Sequence, residues 1–371
     1  MQIFAPAEPS HYGGGVRANQ GFFFVYDGLY WAMSPPQRAT FGIDTAIFGN
    51  NQRNVWWGDP NDRGTSTQGS TLDTSFLQTG FMMGQRIEFG QMWEHAGWLF
   101  SYFQVHWLGQ VHGARGVQAY FGDEEWGAAH LTHLEGNSGI TGPVNLGVWF
   151  QDVSLVDAYR PWGTEFNFLV RTHPRERGGM WEWFFGARYL EFDEQFDVLA
   201  SGPDPSTTGV NSILTRTQIH TFAKNHLFGP QLGLRWFITN DRWQFSATGK
   251  FLAGWNSQNV FEDGVLATDL VDSFPRSNNS PYALQMTNFS YVAHMSEFSP
   301  VVELRLEGQF QLTKNIYFHA GWNGMYIGNL ARPPRMIDYT LRKTSVMGIL
   351  TGNNNDLAFF DGFSIGIEIN R

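Results

Sequence analysis

The chain has no cysteine, little charge and no long hydrophobic run, and each shortage excludes a class of structure. Without Cys among its 371 residues, it has no disulfide framework, no zinc–thiolate site and no Cys nucleophile. Apolar runs such as Phe22 to Val25 and Trp98 to Phe100 fall far short of the roughly 20 residues that a transmembrane helix needs. If the chain crosses a membrane, it must do so with strands.

Charged residues amount to only 16% of the chain, whereas an average soluble domain has roughly a quarter. The 24 basic and 34 acidic residues leave a net charge of -10, and no basic cluster suggests a nucleic-acid partner. Met1 to Ser10 lack the basic and apolar regions of a signal peptide. We therefore expect residues 1–20 to be a periplasmic N-terminal segment, left after cleavage of a signal peptide that this chain does not contain.

What the chain has in abundance is aromatic residues and glycine, with 33 Phe, 15 Trp, 12 Tyr and 42 Gly. Several segments alternate with period two, which is typical of strands. In residues 302–307, three aliphatic side chains interleave with Glu303, Arg305 and Glu307, and residues 243–255 and 363–370 repeat the pattern. These runs last about 10 residues, long enough for a tilted strand to cross a bilayer and about twice the usual length of a soluble strand.

Eleven segments show strand character. They are Phe22 to Met33, Thr79 to Gln91, Trp98 to Gly109, Val144 to Val153, Thr164 to Thr172, Met180 to Phe192, Phe228 to Ile238, Trp243 to Trp255, Val301 to Leu312, Ile316 to Tyr326 and Phe359 to Ile369. A single-chain bacterial barrel needs an even number. We predict an all-β fold, a closed antiparallel transmembrane β-barrel of about 12 strands with a range of roughly 10 to 14. Ala39 to Phe48 or Arg115 to Phe121 would contain the missing strand.

Short turns alternate with long polar stretches along the chain. Thr239-Asn240-Asp241 and Thr313-Lys314-Asn315 carry Asn and Asp, which tolerate turn conformations. Short periplasmic turns and long extracellular loops are typical of outer-membrane barrels, so we predict one barrel domain over residues 21–371. Its long loops are expected near residues 34–75, 110–142, 200–215, 256–296 and 329–356.

Five stretches of the chain match a known family. They are Asn225 to Gly233 with Arg242-Trp243 and Gly249-Lys250, Trp183 to Tyr189 with Asp193-Glu194, Ala320 to Asn323 with Gly328 to Ala331, Asp361 to Phe363 with Gly366, and Leu29 to Trp31 with Pro35-Pro36. Together they resemble the planctomycete β-barrel porins of type seven. The resemblance implies an outer-membrane barrel and leaves the solute open. The chain departs from outer-membrane barrels that end in an aromatic residue, since it ends Ile369-Asn370-Arg371.

If the apolar faces meet lipid, the alternate side chains point into the lumen. The predicted lumen-lining residues are Arg86, Glu88, Glu165, Arg171, Glu182, Arg188, Arg235, Lys250, Glu303, Arg305, Glu307 and Glu368. Opposed charges across a water-filled constriction favour polar solutes. We therefore expect a porin-like channel for passive diffusion of small polar solutes and ions. The alternative is a structural or surface-interaction barrel, in which the same residues pair with one another and plug the lumen.

Other chemistry has weaker support in the sequence. Asp123, Glu124, His130 and His133, with Glu125 and Glu135 nearby, are weak metal candidates because their spacing matches no defined site, and a solvated acidic loop is the preferred interpretation. We expect no cofactor.

An enzyme is not expected, because the chain lacks the common catalytic motifs. An outer-membrane lipid hydrolase is the least favoured alternative, since Ser101 and His106 would face opposite sides of an unbulged strand. The expected partners are outer-membrane lipid, the barrel-assembly machinery, small polar solutes and further copies of the chain, with a trimer favoured.

Overall fold

The structure is a computed structural model that describes residues 21–42, 55–57, 72–123, 146–172, 179–201, 216–240, 242–266, 287–313, 315–341 and 347–370. Its strands are β1 (Gly21–Met33), β2 (Val55–Trp57), β3 (Phe81–Met92), β4 (Ala96–Val105), β5 (Leu108–Asp123), β6 (Leu146–Arg171), β7 (Gly179–Ser201), β8 (Arg216–Asn240), β9 (Trp243–Leu266), β10 (Thr287–Gln311), β11 (Ile316–Leu330), β12 (Thr340–Leu341) and β13 (Asp356–Asn370). One short helix, α1 (Pro333–Met336), and two 3₁₀ turns, Thr74–Phe76 and Thr351–Asn353, complete the described elements. None of the helices in these ranges is long and apolar enough to span a membrane.

The long strands form a closed antiparallel circuit of hydrogen bonds. Its order is β1, β13, β11, β10, β9, β8, β7, β6, β4 and β3, and β3 pairs again with β1. Each strand of this circuit pairs with a neighbour on both sides over at least part of its length, which is the arrangement that lets a sheet enclose an interior. The prediction of an all-β antiparallel barrel is confirmed at this level.

The predicted strand number of twelve is wrong for the ring, because the eleven long strands of the described residues fill ten positions in a circuit that is already closed. β4 pairs with β6 up to Gln104↔Trp162, and β5 resumes on the same side of β6 at Leu108↔Tyr159. One extra residue between 104 and 108 forms a bulge against residues 159–162, so β4 and β5 act as one bent strand. The ring therefore matches the lower end of the predicted range.

Two segments predicted as separate strands, Val144 to Val153 and Thr164 to Thr172, both overlap the single strand β6, which runs from Leu146 to Arg171. Pro161 lies between them, and proline usually marks a strand end because it has no N–H to donate. Here Pro161 pairs in register with Phe192, and the strand continues through it. The suggested hidden strand Arg115 to Phe121 lies within β5, whereas Ala39 to Gly42 form only an isolated bridge at Thr40 and residues 43–48 lie outside the described part.

Three of the predicted loops are shorter than expected or fold differently. β5 continues through Asp123 into the predicted loop 110–142, and β9 and β10 extend to Leu266 and from Thr287 into the predicted loop 256–296. The polar outward residues of these extensions resemble loop composition. The region 329–356 is not a simple outer loop, since it contains α1 and β12 and turns into the barrel. Residues 202–215 and most of 43–71 lie outside the described part.

Side chains alternate strictly between the two faces of the wall. In β9, Trp243, Phe245, Phe251 and Trp255 are 44–60% exposed, while residues 244, 246, 248 and 250 between them are buried. β13 repeats this, with Phe363, Ile365 and Ile367 exposed outward. The exposed side of the barrel is therefore apolar, and the polar residues of the same strands are inside.

The wall is taller on one side than on the other. β6 to β10 have 23 to 26 residues each, whereas β1, β3, β11 and β13 have 12 to 15. The difference arises at the end opposite the tight connections between β3 and β4, β8 and β9, and β10 and β11. We call the tight-turn end the inner end and the other the outer end.

Candidate functional site

The interior near the inner end is filled by ionised side chains from seven strands of the barrel. We call this set the charge layer: Asp27, Arg86, Glu88, Glu165, Arg171, Glu182, Arg188, Arg235, Lys250, Glu303, Arg305 and Glu307. Six carboxylates stand against six cations, and apart from the half-buried Arg171 and Arg235 each residue is at most 9% exposed. These residues point into the interior because they alternate along each strand with apolar residues, which point to the outside of the barrel.

The part of the charge layer nearest the outer end is a four-residue cluster of two acids and two bases. Lys250 contacts Glu165, and Arg188 Nη1 bonds to Glu303 Oε2 at 2.5 Å and lies 3.8 Å from Glu165 Oε2. Since both acids face a cation, the charges of this cluster cancel. The residues come from β6, β7, β9 and β10, so the cluster joins four strands through the interior.

A second cluster joins the opposite walls of the barrel. Arg305 Nη1 donates to Glu88 Oε1 at 3.0 Å, and Arg86 Nε donates to Asp27 Oδ2 at 2.8 Å. Arg86 Nη2 also reaches Glu307 Oε1 at 3.5 Å. The contacts connect β10 with β1 and with β3. Because β10 is a neighbour of neither strand in the ring, these side chains bridge the lumen.

His319 and Gly366 complete this cluster. His319 Nε2 lies 3.1 Å from Asp27 Oδ1, and both side chains are almost fully buried. A Cβ on Gly366 would overlap Asp27 Oδ1 and lie 2.9 Å from His319 Nε2. The absence of a side chain at Gly366 therefore makes room for the aspartate and the imidazole.

The third cluster, nearest the inner end, contains two arginines and one glutamate. Glu182 accepts from Arg171 Nη2 at 2.8 Å and from Arg235 Nη1 at 3.2 Å. Both guanidinium groups lie over rings, Arg171 over Phe237 and Arg235 over Phe184. This combination of carboxylate and ring contacts fixes the arginines against the wall.

All twelve residues predicted to line the lumen lie on inward faces. Eleven of them belong to the charge layer, and Glu368 accepts from Gln309 Nε2 at 3.1 Å. They are packed against one another instead of lining an open passage. A cavity of about 10 Å³ lies beside Arg188, Glu303 and Arg305, and one of about 90 Å³ lies toward the inner end. A water molecule needs roughly 10–15 Å³ of such space, so the first cavity is about the size of one water, whereas the second has room for several.

An apolar layer follows the charge layer toward the outer end. Buried Trp31, Met33, Phe103, Phe192 and Phe360 pack there with the other members of the cluster. These members are Leu29, Met82, Val105, Tyr159, Leu190, Leu227, Leu252, Val301, Met325, Ile327, Leu330 and Ala358. Their contacts close the interior with hydrocarbon, as in the core of a soluble protein.

Beyond the apolar layer, the chain after β11 turns into the barrel. We call residues 331–341 and 347–355 the inward loop. Ala331, Arg332 and Met336 are 0% exposed, and β12 pairs in parallel with the outer end of β5. The loop thus starts at β11 and reaches a strand across the mouth.

Arg332 is the main polar anchor of the inward loop. Its Nε and Nη2 donate to the two oxygens of Glu194 at 2.8 and 2.7 Å, and its Nη1 donates to the carbonyls of Ser34 and Leu357. Arg332 and Glu194 are both 0% exposed. One guanidinium therefore ties the loop to β7, β13 and the chain after β1.

Side-chain amides bind the backbone of the same region. Asn225 accepts from the Ala331 amide at 2.8 Å and donates to the Ala331 carbonyl at 2.9 Å. Gln258 donates to the carbonyls of Asn329 and Asn354. Asn329 has a φ of 53°, a left-handed conformation that Asn tolerates, where the chain leaves the strand. These bonds satisfy the polar backbone that the loop brings inside.

Asp27, His319, Glu194 and Arg332 are interior polar residues that sequence reasoning missed. Asp27 and His319 carried the same inward phase as the predicted set, and their strands were identified, so the alternation could have found them. Glu194 lies beyond the predicted end of its strand at Phe192. Arg332 follows a strand end, where alternation gives no information about direction.

The weaker predictions fall partly outside the described residues. β5 ends at Asp123, and Glu124, Glu125, His130, His133 and Glu135 lie beyond the described part, so the metal prediction stays untested. Within the described residues, no group of three or more His, Cys, Asp and Glu converges on a metal position. Ser101 is buried and donates to Glu88 at 3.4 Å, whereas His106 is exposed.

Comparison with known proteins gives one family and several distant folds. The sequence profile of the family described as "Putative beta barrel porin-7" matches residues 139–369. No curated protein matches the chain significantly.

Solved structures with a similar course of the chain include the outer membrane protease OmpT from Escherichia coli, with 9% identity, a TM-score of 0.40, and coverage of 94% of this chain and 97% of that one. A Pseudomonas aeruginosa FadL homologue has 6% identity, a TM-score of 0.26, and coverage of 94% and 90%. The Ralstonia pickettii toluene transporter TbuX has 9% identity, a TM-score of 0.20, and coverage of 100% and 95%. Likenesses this distant carry no argument about function.

Proposed function

The chain belongs to the type-seven family of β-barrel porins, and from this premise we propose that it is a bacterial outer-membrane barrel with a closed lumen and a structural or surface-interaction role. The observation that carries the proposal is the charge layer. Its six acids and six bases contact one another across the interior, and the cavities within and below it are about 10 and 90 Å³. Barrels of about this strand number are commonly filled by their own side chains.

The membrane assignment is supported by the outward face. Exposed Phe, Trp, Ile, Leu and Val side chains surround the wall, and a soluble protein rarely exposes so large a contiguous apolar surface. In β9 this surface runs from Trp243 to Trp255, and aromatic residues at both ends suit the two lipid–water interfaces. Beyond Trp255, the outward residues Ser257, Asn259 and Asp263 are polar, with Phe261 as the exception.

The orientation follows from the connections. The inner end has the short turns that outer-membrane barrels place in the periplasm, and the outer end has the long segments that they place outside. Outer-membrane lipid then contacts the apolar face, and the barrel-assembly machinery would meet the C-terminal stripe Phe363 to Ile369. The extended walls of β6 to β10 would project outside the membrane, where partners can reach them.

A second candidate function is the porin-like passage of small polar solutes and ions, which family membership favours. It requires the charge layer, the apolar layer and the inward loop to move apart. Opposed acids and bases along such a path would favour polar over apolar solutes. In the conformation described here, the side chains are packed, so the closed barrel is the better supported function.

Conductance separates the two functions. The purified chain is reconstituted into planar bilayers, and its folded insertion is checked by heat-modifiable gel mobility. The closed barrel is expected to give no stable current steps. Steps that are stable and depend on salt concentration would contradict it and support the porin. The double variant Arg188→Ser with Glu303→Ser then tests the path, because a current through the charge layer must change its step size when this ion pair is removed.

A further inference from the structure

A buried carboxylate without a hydrogen-bond partner lies near the outer end of the interior. Glu262 of β9 points inward and is 1% exposed, and neither of its side-chain oxygens has a hydrogen-bond partner. An ionised carboxylate is costly to bury unless a positive charge or donors compensate it. Glu262 therefore carries either a proton or a cation.

A second unpartnered oxygen stands directly beside Glu262. Thr221 of β8 pairs in register with Glu262, is 0% exposed, and has no hydrogen-bond partner for its Oγ1. A carboxylic acid and a hydroxyl in such neighbouring positions can normally satisfy each other. Both instead remain without a partner on the inward face, which leaves three oxygens available to one ligand.

The inward loop brings a second carboxylate to this position. Burial and the nearby charge of Asp338, with a smaller contribution from Asp263, raise the pKa of Glu262 to about 9. Glu262 lies beyond Trp255 on β9, outside the apolar surface. Asp338 is held in place because its Oδ1 accepts from the Thr340 amide at 3.1 Å and from the Thr340 hydroxyl at 2.6 Å. The influence of its charge places Asp338 in the neighbourhood of Glu262.

We propose that Glu262, Thr221 and Asp338 bind a divalent cation that fastens the inward loop to the barrel wall. The three side chains supply only oxygen ligands, which suits calcium, whose coordination by carboxylates, hydroxyls, carbonyls and water is flexible in geometry. Zinc is a poorer fit because it prefers nitrogen and sulfur ligands. With two carboxylates, the site resembles weak extracellular calcium sites, whose Kd is about 0.1–1 mM.

The cation has a mechanical consequence for the mouth of the barrel. Glu262 and Thr221 belong to β9 and β8, whereas Asp338 belongs to the inward loop. Asp338 also donates its amide to the Gly348 carbonyl at 2.7 Å, which joins the two halves of the loop. A cation at this position therefore connects the wall to both halves of the loop at once.

Terbium luminescence and thermal unfolding test the site. The full-length barrel is purified in detergent, stripped of metal with EDTA, and titrated with Tb³⁺. Nearby tyrosines sensitise the emission of bound Tb³⁺; here these are Tyr339 and Tyr291, which is the cross-strand neighbour of Glu262 on β10. We expect saturable emission that calcium displaces, and a rise in the unfolding temperature with millimolar calcium. Magnesium should displace terbium less well than calcium.

Two variants localise the effect. Glu262→Gln should weaken terbium and calcium binding at least tenfold and remove the calcium-dependent rise in unfolding temperature. Asp263→Asn removes the same charge one residue away on the exposed outward face, so it should bind within about twofold of the natural chain. If Glu262→Gln does not fold, Thr221→Ala provides the test, with binding expected to be several-fold weaker.

The proposal is overturned if the stripped protein shows neither terbium emission nor a calcium-dependent shift, since Glu262 then carries only a proton. It is equally overturned if Glu262→Gln, or Thr221→Ala in its place, binds as tightly as Asp263→Asn, because the metal would then lie elsewhere. Both results are independent of the conductance measurement, so the site can fail while the closed-barrel function stands.

Discussion

The inner and outer halves of the interior are closed by different means. In the charge layer, seven strands contribute residues at alternate positions, and most of the ions have more than one partner, as Arg86 does with Asp27 and Glu307. The outer half is closed by a single segment, the inward loop, whose main charged contact is Arg332 with Glu194. The inner closure is distributed, and the outer closure is concentrated.

This difference has an energetic consequence. Buried ion pairs add little net stability compared with apolar packing, but removing one partner is costly because it leaves a buried charge without compensation. In the charge layer, Glu165 and Glu303 each have a second cation. Arg332 is the cation bonded to Glu194, and the buried acids Asp157 and Asp356 lie near this pair, so its loss leaves several acids without compensation. The same substitution, such as arginine to methionine, should therefore lower the unfolding free energy more at the outer closure than in the charge layer.

The largest effect is expected for Arg332→Met. This change keeps much of the side-chain volume and leaves Glu194, 0% exposed, without its cation, together with two carbonyls that lose a donor. We expect a loss of about 3–5 kcal/mol of unfolding free energy. Urea titration of the folded, heat-modifiable form measures this loss.

Arg115→Met is the matched control for Arg332→Met. The Arg115 pair with Asp152 is highly exposed, at 90% and 52% of the two side chains, and exposed pairs contribute little. Its unfolding free energy should stay within about 1 kcal/mol of the natural value. Equal losses for the two variants would show that the outer closure does not depend on the Arg332 anchor.

An intermediate effect is expected for Arg188→Met in the charge layer. Glu303 keeps a contact with Arg305 at 3.4 Å, and Glu165 keeps Lys250, so both acids retain a cation. The expected loss is about 2–3 kcal/mol, below the usual value for breaking a buried pair. The same urea titration is used.

The double variant Arg188→Met with Glu303→Gln sharpens this comparison. Removing the acid as well as its base should restore part of the lost stability, because fewer buried charges remain without compensation. A loss equal to the sum of the two single variants would contradict the distributed closure, since the network would then have no capacity to reorganise.

The same contrast explains what the sequence could predict. The two-faced strands placed all twelve predicted residues on inward faces, because alternation in a strand fixes direction without any knowledge of the partner strand. It could not decide between an open and a filled lumen. Whether Arg188 meets Glu303, 115 positions away, depends on the diameter of the ring, which follows from the number of strands.

The number of strands was harder to predict because local signals hid two features. The stretch around Pro161 was not predicted as strand, so β6 was counted as two segments. The predicted segment Trp98 to Gly109 crosses the bulge between Gln104 and Leu108, and its continuation to Asp123 was taken for loop or for a separate hidden strand. The inward loop was missed for a different reason. Its sequence, including Arg332, Pro333 and Pro334, is polar and rich in turn-forming residues, and only contacts with distant residues such as Asn225 show that it is buried.

The smallest of the three effects is expected for Asn225→Ala, which tests the amide contacts of the outer closure without touching a charge. Asn225 is 0% exposed and pairs with both the N–H and the carbonyl of Ala331, so its loss leaves two buried backbone groups without partners. We expect a loss of about 1–3 kcal/mol.

Urea titration measures this loss of unfolding free energy. Asn259→Ala is the control, because Asn259 lies on the outward face of β9 and bonds to the exposed His294. Since a neutral donor and acceptor are lost, the effect should be independent of salt, unlike that of Arg115→Met. An Asn225→Ala variant as stable as Asn259→Ala would mean that the contacts of Asn225 with Ala331 add nothing to the outer closure.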